Sequence, residues 1–81
     1  MNFANISQKE IEEIYTSISV RVKYFREEKK ISQLELSLEI GIKSVAFYSN
    51  CENNRYKKHF NLEHLYKIAK ALEVDVKDLI V

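Results

Sequence analysis

Glycine and proline are almost missing from this chain: its 81 residues include one Gly and no Pro, where average usage predicts about six and about four. Tight hairpins draw on residues that accept positive φ, and an all-β sandwich needs such residues at most of its corners. One glycine excludes that class of fold and leaves helices. Cysteine is equally scarce. Cys51 stands alone, so no intramolecular disulfide can form, and no Cys/His group has zinc spacing. That usage fits a reducing compartment. The first thirty residues hold no apolar stretch of signal-peptide length, and no run reaches the roughly 18 residues of a membrane span. The expected location is the cytoplasm, without membrane contact.

What is present describes an ordinary soluble globule, 46% hydrophobic and 31% charged, and the expectation is a single domain over 1–81. At this size the core is small, which makes oligomerisation a natural source of extra stability. The net charge of +1 hides a strong segregation. Residues 1–20 carry a balance of −2, residues 21–30 of +3, residues 31–42 of −2, residues 43–60 of +3 and residues 61–81 of −1. Two basic segments in a near-neutral chain suggest a basic face, which is what a phosphate backbone requires.

Capping residues and apolar spacing predict five helices. Ser7 and Glu10 form a capping-box pair ahead of Ile11, Tyr15, Ile18, Val22 and Phe25, a long amphipathic helix over 8–29. Ser32 and Glu35 open a short second helix with Leu36 and Ile40 on one face, and Gly41 ends it in a left-handed cap. A third helix runs from Lys43 or Ser44 to Glu52, and Asn53 to His59 form a polar loop. Asn61 caps a fourth helix with Leu62, Leu65, Ile68, Ala69 and Leu72 inward, and Asp75 caps a last one carrying Val76, Leu79 and Ile80.

Two short helices joined by a glycine-containing turn make a helix-turn-helix, here over 32–52, whose second helix can enter the major groove. The stretch from Ile31 to Ile42, the run Cys51, Glu52, Asn53, Asn54, and the stretch from Leu65 to Val74 together resemble the Cro/phage-repressor (XRE-type) family. The resemblance covers about 60 of the 81 residues. It implies an all-α, five-helix lambda-repressor-like DNA-binding domain, with residues 1–20 as an N-terminal extension leading into a lengthened first helix. Ser37 matches the family's small packing residue, Gly41 its turn glycine, and Glu52 and Asn53 its Glu-Asn pair.

Three departures bear on the reading. Gly41 and Glu52 lie eleven positions apart where the family pattern has ten, so two registers are open for the third helix. Anchoring on Glu52 turns Tyr48 and Cys51 inward and Ala46, Phe47, Ser49 and Asn50 outward; anchoring on Gly41 buries Phe47 and frees Ser44, Val45 and Tyr48. The Glu52 anchor is preferred because Glu-Asn is the more distinctive mark. The loop from Glu52 to Leu62 is longer than the pattern and basic, and Glu73 stands where the family often has glycine, which implies an awkward cap or a different helix ending.

The resemblance gives Gln33 a phosphate contact, backed by the donors of its helix N-terminus. Lys43 and Ser44 open the recognition helix, where a cation reaches phosphate or guanine and a hydroxyl reaches base or backbone. Ala46 and Ser49 face outward with them. Asn50 can pair bidentately with adenine, and Phe47 either meets a thymine methyl or belongs to the core. Asn53, Asn54, Arg55, Lys57 and Lys58 are expected on the DNA backbone. His59 reads as a structural or phosphate-side residue, His64 as one that packs or hydrogen-bonds, and Cys51 as a small core residue.

Leu34 and Leu38 form an extra apolar stripe on the second helix. It is covered either by the N-terminal segment with Phe3, Ile6 and Ile14, the preferred reading, or by a second molecule. The function expected is a sequence-specific transcriptional regulator, a repressor, phage-type regulator or antitoxin, acting as a homodimer on a palindromic operator. The competing expectation is a protein-interaction module that uses the Leu34 and Leu38 stripe. No paired carboxylates, nucleophile with a base, or phosphate loop suggests an enzyme, and no cofactor or metal is expected.

Overall fold

The computed structural model describes residues 3–80. Five α-helices follow one another: α1 Gln8–Glu28, α2 Gln33–Glu39, α3 Val45–Glu52, α4 Leu62–Leu72 and α5 Lys77–Ile80. Short 3-10 turns, Phe3–Asn5 and Arg55–Lys57, precede α1 and follow α3, and no strand occurs among the described residues. The all-α class and the five-helix order are those expected.

Side-chain oxygens start the helices where the sequence placed them. Ser7 Oγ accepts from the Glu10 amide at 3.1 Å, Ser32 Oγ from Glu35 at 3.0 Å, Ser44 Oγ from Phe47 at 3.1 Å and Asn61 Oδ1 from His64 at 2.8 Å. Each cap contributes about 1 kcal/mol. At Ser32 the box is reciprocal, with Glu35 Oε1 accepting from the Ser32 amide at 3.0 Å. At Asn61 the same return bond goes to His64 Nδ1, at 3.1 Å.

The helix ends show what replaces the missing glycines. Gly41 takes φ +80 after α2, and Ile42 closes the turn by donating to Ser37 O at 2.8 Å. Lys30 after α1 and Glu73 after α4 adopt the same left-handed region at φ 58 and 59, with return bonds from Ile31 to Arg26 O and from Val74 to Ala69 O. Side chains that disfavour this conformation hold two of the three caps, so each spends conformational energy that glycine would save.

One core gathers all five helices: Ile18 and Val22 from α1, Leu36 from α2, Tyr48 and Cys51 from α3, the Leu65, Ile68, Ala69 and Leu72 face of α4, and Leu79 from α5. Leu62 and Ile80, expected inside, are 70% and 43% exposed. Phe60, buried just ahead of α4, packs beside Tyr48 and His64. Ile80 follows the fully buried Leu79, and neighbours on a helix diverge by about 100°. Asp75 does not cap α5 as expected; Asp78 Oδ2 instead accepts from the Asp75 amide at 3.1 Å.

The preferred intrachain cover for the α2 stripe does not form. Leu34 and Leu38 stay exposed, and so do Phe3, Ile6 and Ile14. The reason is the length of α1: Ile14 belongs to a continuous helix, which carries the N-terminal residues along its own axis instead of folding them back onto α2.

Candidate nucleic-acid interface

A buried carboxylate sets the angle between α2 and α3. Glu52, the last residue of α3, is 3% exposed and accepts two bonds from the Arg26 guanidinium of α1, at 2.9 Å and 3.0 Å. Tyr48 donates its hydroxyl to Glu52 Oε2 at 2.7 Å, and Gln33 of α2 donates its amide nitrogen to Oε1 at 3.1 Å. Arg26 also donates to Ile31 O at 2.8 Å, just before α2. Three helices and a turn thus meet on one ion pair. Burial alone would raise the Glu52 carboxyl, but hydrogen bonds from Arg26, Tyr48 and Gln33 outweigh it and hold the group below its ordinary value. The bond to Glu52 raises Arg26 in turn, while burial first and the same carboxylate second push Tyr48 upward. Glu52 is the only acid between residues 43 and 60, so its internal neutralisation leaves a surface there that is wholly basic.

The register of α3 follows its Glu52 end. Tyr48 and Cys51 are fully buried, whereas Ala46 is exposed and Ser49 and Asn50 are half-buried. Asn50 makes no side-chain hydrogen bond among the described residues. Phe47 is shared: it packs against the core with an edge contact to His64 at 6.2 Å, and remains partly exposed. The extra residue relative to the family spacing is absorbed before the helix, where Lys43 and Ser44 are exposed, Ser44 is extended and α3 begins at Val45. Burial pushes the Cys51 thiol up to about 11, in keeping with a core residue. His64 is lowered by burial and serves its cap.

The basic loop after α3 is built on left-handed backbone. Asn54, Tyr56 and Lys57 take φ of 53, 55 and 55. Asn54 turns its side chain inward: Oδ1 receives Ser19 Oγ at 3.0 Å and lies 3.2 Å from His59 Nδ1, while Nδ2 donates to Thr16 Oγ1 at 3.4 Å. Asn54, expected on the DNA backbone, is thereby tied to α1. His59 stacks face to face on Tyr15 of α1, centroids 3.6 Å apart and rings within 4°. With its back fixed, the loop holds Arg55, Tyr56, Lys57 and Lys58 in solvent, Tyr56 at 80% exposure. Arg55 reaches back to α3 and donates to Ser49 Oγ at 2.9 Å, and Asn53 donates to Ser49 O at 2.8 Å. Sequence reasoning missed the Arg26, Ser19, Thr16 and Tyr15 supports; a charged or polar residue on the apolar stripe of α1 was the signal available.

The geometry is that of two helices set by a positive-φ turn, the second with its end locked to the first and its outer side bordered by cations. A family model described as helix-turn-helix matches residues 22–79. The chain belongs to the helix-turn-helix family of the Cro/repressor, XRE type. No curated protein and no solved structure matches it. As a member of this family it is a DNA-binding regulator in general function. The matched helix-turn-helix span opens inside α1, so the turns from Gln8 to Arg21, with the Tyr15, Thr16 and Ser19 supports of the basic loop, lie ahead of it. No helix among the described residues is long and apolar enough to cross a membrane.

Proposed function

We infer that this helix-turn-helix protein is a sequence-specific transcriptional regulator, a repressor, phage-type regulator or antitoxin, that binds a palindromic operator as a homodimer with α3 in the major groove. The observation that carries the reading is the uncompensated basic rim on the exposed side of α3, left by the burial of Glu52 against Arg26. Ala46, Ser49, Asn50 and the outer part of Phe47 meet base edges; Lys43 and Ser44 meet the start of the site. Arg55, Lys57, Lys58 and Asn53 meet phosphate and fix the register without choosing sequence. Gln33 spends one amide hydrogen on Glu52 and keeps a second for phosphate. Asn54 contributes by shaping the loop.

Selection of bound duplexes from a random pool tests the reading and returns a two-fold symmetric site. Binding falls with salt in proportion to the phosphates engaged, and the double variant Lys57→Ala, Lys58→Ala weakens all duplexes alike and reduces the salt slope by about 2. Ser49→Ala or Asn50→Ala changes the preferred sequence instead. Absence of binding to any duplex at low salt overturns the proposal. A second reading, a protein-binding module, is favoured by Leu34 and Leu38 at 53% and 63% exposure; it requires that same absence of DNA binding.

A further inference from the structure

Tyr56 is the most exposed large hydrophobic side chain among the described residues, at 80%. Neither its ring nor its hydroxyl has a hydrogen-bonding or stacking partner among them. Its backbone sits at φ 55 and ψ 32, a left-handed conformation that is costly for a bulky side chain and that glycine takes freely. Lys57 follows at φ 55. The rest of the loop is tied down: Asn54 to Ser19 and Thr16, His59 to Tyr15, and Arg55 to Ser49 at 2.9 Å. A strained and anchored backbone therefore holds this ring in solvent. Such an outlier points to a contact made outside the chain.

We propose that Tyr56 lays its ring on the deoxyribose of the DNA strand whose phosphates Arg55 and Lys57 hold. Tyr56 stands between those two cations in the chain, and Lys58 follows. What lies between two phosphates of one strand is a sugar, whose carbon face is apolar. Arg55 rests on Ser49 of α3. The loop is thereby set at the rim of the groove that α3 enters, beside the backbone and clear of the base edges. Base faces are covered in a duplex, and wedging a ring between them requires the stack to open. The cations draw the strand in, and their attraction fades as salt rises; the ring buries apolar surface, which salt does not screen. The loop thus grips the backbone by two means that respond differently to ionic strength, and the ring tightens all duplexes alike.

The inference rests on the DNA reading above, and its test uses a fluorescently labelled duplex of mixed sequence, so that operator recognition does not decide it. Tyr56→Ala weakens binding about fivefold at each salt concentration and leaves the slope of log affinity against log salt unchanged, whereas Lys57→Ala lowers that slope by about 1. Tyr56→Phe keeps the affinity of the wild type. Tyr56→Gly relieves the left-handed backbone and removes the ring, so its melting temperature rises while its affinity falls; a purely structural tyrosine moves both together. The sequence has no Trp, so Tyr56→Trp carries a single indole, whose emission shifts to the blue on the duplex as water leaves the ring. Strong quenching instead assigns a base stack and overturns the sugar contact. Equal binding by Tyr56→Ala and wild type, or a lowered salt slope for Tyr56→Ala, overturns this proposal alone. Absence of binding by the wild type overturns it together with the DNA reading.

Discussion

Tyr15 and His59 stack with their ring centroids 3.6 Å apart and their planes within 4°. The pair joins the third turn of α1 to the last residue of the basic loop, across 44 positions of sequence. Because three loop residues hold left-handed backbone without glycine, the loop needs outside support to stay ordered. Tyr15→Ala removes the stack and leaves the central core intact. The expected result is weaker DNA binding, about three- to tenfold, with little loss in melting temperature; equal binding by Tyr15→Ala and wild type shows that the stack has no part in presenting the cations.

Glu52 makes stability depend on acid. Its folded carboxyl sits below the unfolded value, so its contribution is present above the ordinary carboxylate range and is lost as pH falls through the lower, folded value. Urea titrations between neutral and acid pH follow this. Glu52→Gln leaves Arg26 buried without a counter-charge and costs about 3–5 kcal/mol. The variant also loses most of the acid-side fall; an unchanged acid limb assigns it to other carboxylates.

Gly41 tests backbone against packing. A Cβ added there meets nothing within 4 Å, so any cost comes from φ +80 alone. Gly41→Ala is expected to cost about 1 kcal/mol, Gly41→Asn less, and the β-branched Gly41→Val more. Because the turn sets α2 against α3, the order of DNA affinities follows the order of stabilities. Equal stability of all three variants removes the backbone explanation.

Glu73 offers the converse. It holds the left-handed cap of α4 as a non-glycine residue and pairs at 3.0 Å with Lys29 on the surface. Glu73→Gly relieves the first at about 1 kcal/mol and forfeits the second, a few tenths. The net gain raises the melting temperature by roughly 2–5 °C, and a fall in calorimetry contradicts the assignment.

Local signals carried most of the fold. Ser7, Ser32 and Asn61 cap through bonds three residues long, and Gly41 declares its conformation by lacking a Cβ, so each is readable from a short window. Glu52 told the register of α3 correctly, with Tyr48 and Cys51 inside. What stayed hidden depends on distant partners. Arg26 reads as one more cation in a basic block until Glu52, 26 positions on, is placed against it. Asn54 reads as an outward loop residue until Ser19, 35 positions back, meets it. Leu62 and Ile80 fit the apolar period yet lie where Phe60 and Leu79 already fill the core.

The first turns of α1 hold Tyr15, Thr16 and Ser19 against the basic loop. Anything that orders these turns lowers the entropy that the loop must surrender on meeting a phosphate backbone. A helix that begins ahead of the matched span thus governs how much order the loop must still acquire when it meets DNA.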